Sequence, residues 1–282
     1  MRVVILGGKG QLGRDLARAC PEGHDLMAWD LPELDICNYR ALNRELLAFH
    51  PALILNAAAY TNVEQAEEEP EAAYAVNEYG ARNVAAAAAA LGIPVVYYST
   101  DFIFDGARPT PYTETDTPCP LNIYGKSKLA GEQATQSANE RHYILRTAWL
   151  FGPGGNNFVE KIRRLAAARD RIRVVRDETG SPTHTWDLAE VTWRICATGA
   201  YGVYNAVNAG ACSRFELARA IIELADPPTI VEPCFASEMP VKTKRPACVA
   251  LTPEKLEQTI GAPMRPWREA LAHYLQRGKE TP

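Results

Sequence analysis

The sequence predicts an α/β fold in which helices cover both faces of a doubly wound parallel sheet, with a smaller lobe toward the C-terminal end. Three observations predict it. Short apolar runs alternate with helical patterns through residues 1–150, the runs contain few polar residues, and the composition changes after residue 150. Runs that are apolar throughout are typical of parallel strands covered on both faces, whereas half-exposed strands alternate apolar and polar residues.

The predicted strands follow one another along the first half of the chain. They cover residues 2–6, 25–29, 52–56, 94–99 and 142–148, and the first strand is followed by a helix that begins near Gln11. Residues 81–90 end in six consecutive alanines. Because alanine is the strongest helix former and its small side chain packs closely on a sheet, this segment is predicted to be a crossover helix.

A glycine-rich turn, G-G-K-G-Q-L-G, joins the first strand to the first helix. Gly7, Gly10 and Gly13 allow a tight turn, close approach of a pyrophosphate to the backbone, and close packing of the helix on the strand. Asp30 ends the second strand, where a carboxylate accepts hydrogen bonds from an adenosine ribose and repels a 2′-phosphate. The pattern predicts a Rossmann-type site for NADH or NADPH; Asp30 favours NADH, and Arg14 weakens that preference if it meets a phosphate.

The chain is divided near residue 150 on these grounds. Residues 1–150 are predicted to form the dinucleotide-binding Rossmann domain, and residues 151–282 mainly a smaller substrate-binding lobe. The chain is expected to return to the first domain near residues 183–208 and 244–252. The change is marked by F-G-P-G-G-N-N at residues 151–157 and by a basic stretch at residues 161–173.

The composition excludes several classes of protein. A formal net charge of -4 gives no global electrostatic reason to expect nucleic acid. No apolar run approaches the roughly 18 to 20 residues of a membrane helix, and the N-terminal residues lack the pattern of a signal peptide, so a cytoplasmic protein without a membrane partner is expected. The seven cysteines contain no C-x-x-C pair, and the histidines show no metal spacing, so no metal-ligand set is predicted.

The stretch I-Y-G-K-S-K at residues 123–128 carries a tyrosine and two lysines. Residues four apart lie on one face of a helix, so Tyr124 pairs with Lys128, whereas Lys126 points elsewhere. An ammonium near a phenol lowers the pKa of the phenol and prepares it for proton transfer. Thr100, in S-T-D at the end of the fourth strand, is expected to add a hydroxyl at the carboxyl edge of the sheet, where sites in open α/β sheets lie.

Together these motifs resemble the extended short-chain dehydrogenases/reductases, and within them the dTDP-4-dehydrorhamnose reductases. The resemblance extends in order along nearly the whole chain. It rests on G-G-K-G-Q-L-G (7–13), N-A-A-A-Y-T-N-V-E-Q-A-E (56–67), A-V-N (75–77), Y-S-T-D-F-I-F-D-G (98–106), P-L-N-I-Y-G-K-S-K-L-A-G-E (120–132), R-T-A-W-L-F (146–151), N-N-F (156–158), G-S-P-T (180–183), R-P (245–246) and P-W-R-E-A-L (266–271).

The resemblance implies a role for each matching position. The cofactor-binding residues it implies are Gly7, Gly10, Gln11, Leu12 and Gly13 at the pyrophosphate, Asp30 at the ribose, Asp35 and Ile36 near the adenine, Ala57, Ala58, Ala59 and Tyr98 in the cleft, and Tyr124 and Lys128 at the nicotinamide end. The implied substrate-binding residues are Thr100, Asp101 and Trp149, and the implied catalytic residues are Thr100, Tyr124 and Lys128. Lys244 and Arg245 are either contacts of the substrate pyrophosphate or a solvated surface pair.

The implied reaction is hydride transfer to C4 of dTDP-4-dehydro-β-L-rhamnose, with Tyr124 protonating the developing alkoxide and dTDP-L-rhamnose as product. Phe102 departs from the tyrosine that the family usually has after T-D. The lost hydroxyl puts a substrate or water contact in doubt, but the Tyr124 and Lys128 pair is unaffected.

Other functions stay open at this point. A dehydratase of the same superfamily is disfavoured because Asp101 is followed by Phe102 and the usual second carboxylate is missing. An epimerase that re-reduces its own substrate shares the Tyr-Lys pair, and the regulatory subunit of methionine adenosyltransferase shares the fold without the catalysis. The resemblance also leaves open a homodimer and a structural metal between subunits, for which no residues are assigned.

Overall fold

A computed structural model of the protein describes residues 1–225, 228–240 and 243–280. Its first half alternates strands and helices. In chain order these are β1 (Arg2–Leu6), α1 (Gln11–Arg18), β2 (Asp25–Trp29), α2 (Tyr39–Phe49), β3 (Leu53–Asn56), α3 (Val63–Glu68), α4 (Pro70–Tyr74), a π-helical turn (Ala75–Gly80), α5 (Ala81–Ala90), β4 (Val95–Thr100), a 3-10 turn (Asp101–Ile103), α6 (Ile123–Ala138) and β5 (His142–Thr147).

The second half contains shorter strands. Its elements are β6 (Leu150–Phe151), α7 (Phe158–Ala168), β7 (Arg171–Val175), β8 (Thr179–Gly180), β9 (Thr183–His184), α8 (Thr185–Thr198), β10 (Gly202–Asn205), β11 (Cys212–Ser213), α9 (Arg214–Ala225), β12 (Ile230–Cys234), a 3-10 turn (Ala236–Glu238), α10 (Glu254–Ile260) and α11 (Trp267–Glu280). Within the described residues, no helix is both long enough and apolar enough to cross a membrane.

Six strands form one parallel sheet in the order β10-β5-β4-β3-β1-β2. The predicted doubly wound α/β fold is therefore confirmed, and all five predicted strands belong to this sheet. Four boundaries differ by a residue: β3 begins at Leu53, β4 begins at Val95 and extends to Thr100, and β5 ends at Thr147, the residue that pairs with Thr100. β10 lies beside β5 at the edge of the sheet, with Gly202 opposite Tyr143.

Helices pack on both faces of the sheet, which explains why its strands are apolar throughout. On one face, Leu16 of α1 and Trp193 of α8 belong to one buried cluster, and the Trp193 indole donates a hydrogen bond to the Leu16 carbonyl at 3.0 Å. On the other face, α2 and α5 pack through Leu46 and Val84. The alanine-rich segment forms α5 as predicted, and four of its alanines are buried. Each fully buried leucine or valine contributes about 1.5–3 kcal/mol.

The order of the strands determines where a ligand can bind. β1 lies between β2 and β3. The chain therefore adds β2 on one side of β1 and then β3, β4 and β5 on the other side, so the strand order reverses at β1. A crevice forms outside the carboxyl ends of parallel strands at such a reversal. The glycine-rich turn after β1, Asp30 after β2 and the alanines after β3 all lie at this edge.

A further buried cluster, apart from the two on the faces of the sheet, joins the elements that follow β5. It contains Phe151, residues of α7, β7, α9 and α11, and the strand residue Cys212. β8 and β11 pair as a short antiparallel ribbon, with Cys212 opposite Gly180. The predicted basic stretch at residues 161–173 is divided between α7 and the beginning of β7.

Candidate active site

The glycine-rich turn is closed too tightly for side chains. Gly7 has φ +78°, and a Cβ there would lie 2.6 Å from the Ala58 amide nitrogen. A Cβ on Gly13 would lie 2.2 Å from the Gly7 carbonyl oxygen. Gly10 is the N-cap of α1 and has no side chain to cap it, so the N-terminus of this helix is open to an anion. These features fit the pyrophosphate of a dinucleotide.

Asp30 holds its carboxylate at the end of β2 through two backbone hydrogen bonds. The amide of Lys9 donates to Oδ2 at 2.8 Å, and the amide of Leu31 donates to Oδ1 at 2.7 Å. The Lys9 ammonium lies on Glu33 at 2.7 Å and on the Leu31 carbonyl at 3.1 Å. The carboxylate is therefore fixed beside the glycine-rich turn, and the nearest lysine charge is already paired.

The side chains of the other residues implied near the cofactor differ in their exposure to solvent. Ala57, Ala58 and Ala59 are half-buried after β3, and Gln11 is half-buried at the start of α1. Asp35 is exposed, and its carboxylate accepts the Cys37 amide at 2.8 Å. The side chains of Leu12 and Ile36 are buried in the clusters on the two faces of the sheet, so only their backbones remain for a ligand.

Tyr98 is the clearest difference from what the resemblance implies. Its ring is buried in the core, and its hydroxyl donates to Thr192 of α8 at 3.2 Å rather than facing the cleft. Strand alternation explains this orientation, since Tyr97 points to the α6 side and its neighbour to the α8 side. What Tyr98 offers to the site is its carbonyl oxygen, which accepts a hydrogen bond from the Lys128 ammonium at 2.6 Å.

Tyr124 lies in the first turn of α6, which approaches the end of β4 closely. Asn122 caps the helix by accepting the Gly125 amide at 2.8 Å. A Cβ on Gly125 would lie 2.2 Å from the Phe102 carbonyl oxygen, so the close approach depends on glycine. As a result the Tyr124 hydroxyl lies near Thr100, and its ring meets the edge of Phe102 with centroids 5.7 Å apart.

Lys128 and Lys126 have opposite environments, as helical spacing predicts. Lys128 is buried, and its ammonium lies 4.2 Å from the centroid of the Tyr97 ring; Lys126 is exposed. Burial lowers the pKa of Lys128 to about 7, opposed by the nearby Glu132 carboxylate.

The predicted effect of Lys128 on the phenol is wrong for this structure. The pKa of Tyr124 is raised to about 12, first because burial disfavours the phenolate and also because Asp101 is near; the neighbouring Thr100 hydroxyl opposes the rise. Lys128 does not offset these effects because its ammonium is directed at the Tyr98 carbonyl. Tyr124 is therefore a neutral phenol at neutral pH, which is the form that can donate a proton.

Asp101 combines burial with an unused acceptor. Its Oδ1 accepts the Thr100 hydroxyl at 2.9 Å, whereas Oδ2 has no hydrogen-bond partner among the described residues. Burial raises the pKa of Asp101 to about 7, against the lowering effects of the Thr100 hydroxyl and of Arg214. A buried polar atom without a partner indicates a missing ligand or water, and here it lies beside Tyr124.

Trp149 follows β5 with a backbone that a bulky residue rarely adopts. Its φ is +46°, and a Cβ on Gly180 would lie 2.4 Å from the indole ring. Such conformations persist only where the surroundings fix them, and they concentrate at functional sites.

Sequence reasoning missed a buried ion pair beneath these groups. Arg146 of β5 binds Glu132 of α6 with two hydrogen bonds, at 3.0 and 2.8 Å, and both side chains are almost fully buried. Glu132 is four residues after Lys128 and therefore lies on the same helix face. Both residues belong to the motifs quoted for the resemblance, and the spacing of Tyr124, Lys128 and Glu132 was the signal that could have identified the acid.

Lys244 and Arg245 lie in different environments. Lys244 is exposed, whereas Arg245 binds Glu64 of α3 at 2.8 Å. The Nε of Arg245 is buried without a hydrogen-bond partner among the described residues. No three histidine, cysteine, aspartate or glutamate side chains lie together as metal ligands in the part of the chain that the structure describes.

Comparison with known proteins places this geometry in a family. A family model described as "RmlD substrate binding domain" matches residues 1–280. The dTDP-4-dehydrorhamnose reductase of Mycolicibacterium smegmatis is 42% identical over 276 residues, which cover 96% of this chain and 84% of the relative.

Solved structures agree. A dTDP-4-dehydrorhamnose reductase from Clostridium acetobutylicum has a TM-score of 0.96 at 38% identity, covering 99% of this chain and 100% of its own. The enzyme of the same name from Bacillus anthracis, in complex with NADP, has a TM-score of 0.95 at 39% identity, covering 98% and 99%. The chain therefore belongs to the RmlD substrate-binding-domain family, the family of these dTDP-4-dehydrorhamnose reductases.

Proposed function

We propose that this protein reduces the C4 ketone of dTDP-4-dehydro-β-L-rhamnose to the alcohol of dTDP-L-rhamnose, using NADH or NADPH. One observation carries the proposal. The Tyr124 phenol lies near the Thr100 hydroxyl at the carboxyl edge of the sheet, with Lys128 one helical turn further along α6 and the glycine-rich turn at the same edge. The substrate follows from the similarity to dTDP-4-dehydrorhamnose reductases.

The proton comes from Tyr124 in this proposal. When bound, the reduced nicotinamide supplies the hydride to C4. The ketone oxygen gains negative charge as this happens, and a neutral phenol within hydrogen-bond reach donates its proton to it. Because its pKa is raised to about 12, the phenol is fully protonated before each turnover. Thr100, which lies near the phenol and donates its own hydroxyl to Asp101, helps to position the phenol.

The remaining residues bind and orient. Lys128 holds the ribose of the cofactor with the ammonium that now meets the Tyr98 carbonyl. The free oxygen of Asp101 accepts a sugar hydroxyl, and the Trp149 indole packs on the deoxysugar. We assign the dinucleotide mainly to residues 1–150 and the substrate mainly to the residues after 150, with returns near 183–208 and 244–252.

Asp30 is proposed to favour NADH over NADPH. Its fixed carboxylate accepts the ribose hydroxyls of NADH but repels the 2′-phosphate of NADPH. The Lys9 ammonium offers little compensation, because Glu33 already pairs with it at 2.7 Å. We expect a higher kcat/KM with NADH, and replacement of Asp30 by alanine should move the ratio toward NADPH.

An absorbance assay at ~340 nm with the 4-keto-rhamnose nucleotide and each reduced cofactor tests the function directly. Stoichiometric oxidation of the cofactor is expected. An epimerase that re-reduces its own substrate gives no net oxidation, and a regulatory subunit gives no turnover. Failure to oxidise either cofactor would sink the reductase assignment.

The glycine-rich turn gives a second test. Replacing Gly13 by alanine adds a methyl group that would lie 2.2 Å from the Gly7 carbonyl oxygen. The turn must open to relieve this clash, and its amides then move away from the pyrophosphate. We expect the Kd for NADH to rise at least ~10-fold, measured by nucleotide fluorescence, since one well-placed charged hydrogen bond contributes about 1.5–3 kcal/mol. The control is Arg18→Ala at the exposed end of α1, which should bind normally; equal affinities for the two variants would contradict the role of the turn.

A further inference from the structure

Arg214 is a cation that the proposed reaction does not use, yet it lies against a residue of the site. It begins α9 directly after β11, and its guanidinium carbon lies 3.4 Å from the centroid of the Trp149 ring. Gly180, in the strand paired with β11, also contacts this indole. Gly180 of the β8–β11 ribbon and Arg214, which directly follows the ribbon, therefore both lie against Trp149.

The guanidinium has hydrogen-bond donors to spare. Within the described residues no hydrogen bond reaches it, and its nearest carboxylate is that of Glu178, at 3.9 Å. The side chain is only 14% exposed. An arginine with so little exposure normally spends its five fixed donors on carboxylates, carbonyls or an anionic ligand, so this one has donors left for a further partner beside Glu178.

The charges around Arg214 indicate what that partner is. Burial lowers the pKa of Arg214 to about 10; Glu178 and Asp101 oppose this effect, and the like charge of Arg245 adds to it. Arg245 also keeps a buried Nε without a partner. Two guanidinium groups that repel each other and have unused donors are stabilised by an anion between them. The arginine fork binds carboxylates and phosphates in the same bidentate way, and phosphates are the anions that a nucleotide sugar carries.

We propose that Arg214 is a substrate-binding residue that takes the β-phosphate of the sugar nucleotide, the phosphate next to the sugar. This deepens the proposed function and rests on it. The assignment to the β-phosphate follows from position: the same guanidinium stacks on Trp149, whose indole packs on the sugar, and faces Asp101 on the sugar side. Stacking on Arg214 holds the indole in place, and the free donors of Arg214 hold the phosphate. One residue therefore positions the C4 carbon of the sugar relative to the phosphate that anchors the nucleotide.

The test measures nucleotide binding without turnover. Affinities for dTDP and for dTMP, which lacks the β-phosphate, are measured by calorimetry for the wild type, Arg214→Met and Arg214→Lys. The matched control is Arg219→Met, an exposed arginine one turn further along α9. NADH affinity of each variant reports whether the protein is still folded.

We expect Arg214→Met to weaken dTDP at least ~10-fold and to leave dTMP within ~3-fold, since a charged hydrogen bond contributes about that much. Arg219→Met should bind both normally. If the methionine variant no longer binds NADH, the lysine variant decides, because it keeps the charge but loses the fork; a ~5-fold or greater loss of dTDP affinity then supports the proposal.

Unchanged dTDP affinity in the folded variants would overturn the proposal and leave the reductase function intact. An equal loss for dTDP and dTMP would overturn the β-phosphate assignment. Absence of dTDP binding by the wild type would remove the nucleotide substrate itself, and with it both this inference and the proposed function.

Discussion

Replacing Tyr124 by phenylalanine should reduce kcat at least ~100-fold while the Kd for NADH stays within ~2-fold of the wild-type value. The ring still fills its place against Phe102, because only the hydroxyl is removed. General-acid catalysis contributes about 10²–10⁴-fold to a rate, and water can supply the proton only slowly. Single-turnover oxidation of bound NADH, followed by absorbance, measures the chemical step itself.

Two matched controls isolate the proton. Tyr79→Phe removes a hydroxyl from an exposed tyrosine, and Lys126→Met removes the exposed lysine of the same motif. Both should keep kcat within ~2-fold. A Tyr124→Phe variant with near-normal turnover would exclude Tyr124 as the proton donor. Because the phenol stays protonated near neutral pH, a change of rate with pH in that range would report Asp101 or Lys128, whose pKa values are each about 7, rather than Tyr124.

Breaking the buried pair of Arg146 and Glu132 should give the largest loss of stability. Arg146→Met leaves the Glu132 carboxylate buried without its cation, and removal of one partner of a buried ion pair costs about 3–5 kcal/mol. The free energy of unfolding in urea measures the loss. Glu132 also opposes the lowering of the Lys128 pKa, so the change reaches the active site through the same helix face.

The double variant Glu132→Leu with Arg146→Met distinguishes an unpaired charge from lost packing. It should recover most of the stability, because apolar pairs of similar volume replace buried ion pairs at little cost. The control is Arg171→Met, which breaks the exposed pair with Glu232 and should cost no more than ~1 kcal/mol. If the single variant Arg146→Met were as stable as this control, the buried pair would have no structural role.

Local patterns predicted a large part of the molecule. Residues 2–6 and 25–29 form strands with the predicted bounds, and the alanine-rich segment 81–90 is the predicted helix. Periodicity succeeded here because each parallel strand is covered on both faces, which leaves an uninterrupted apolar run in the sequence. Helical spacing also separated Lys128 from Lys126, since that choice depends only on geometry within one helix.

Contacts between distant segments were beyond such patterns. The hydrogen bond of Tyr98 to Thr192 joins residues 94 positions apart in the chain. The pairing of Arg146 with Glu132 joins two different elements, β5 and α6. The direction of the Tyr124 pKa was predicted wrongly for the same reason. Four-residue spacing places an ammonium near a phenol, but burial of both groups and the Tyr98 carbonyl determine where the ammonium points.

The sequence alone determined the class of fold, the glycine-rich turn, the Tyr-Lys pair and the family, because each depends on residue identity and short-range spacing. The tertiary structure decided the charge state of the phenol, the unused oxygen of Asp101 and the position of Arg214 on Trp149. Desolvation and charge interaction act through space and depend on every segment that folds against a group, so they can be evaluated only once those segments have been brought together.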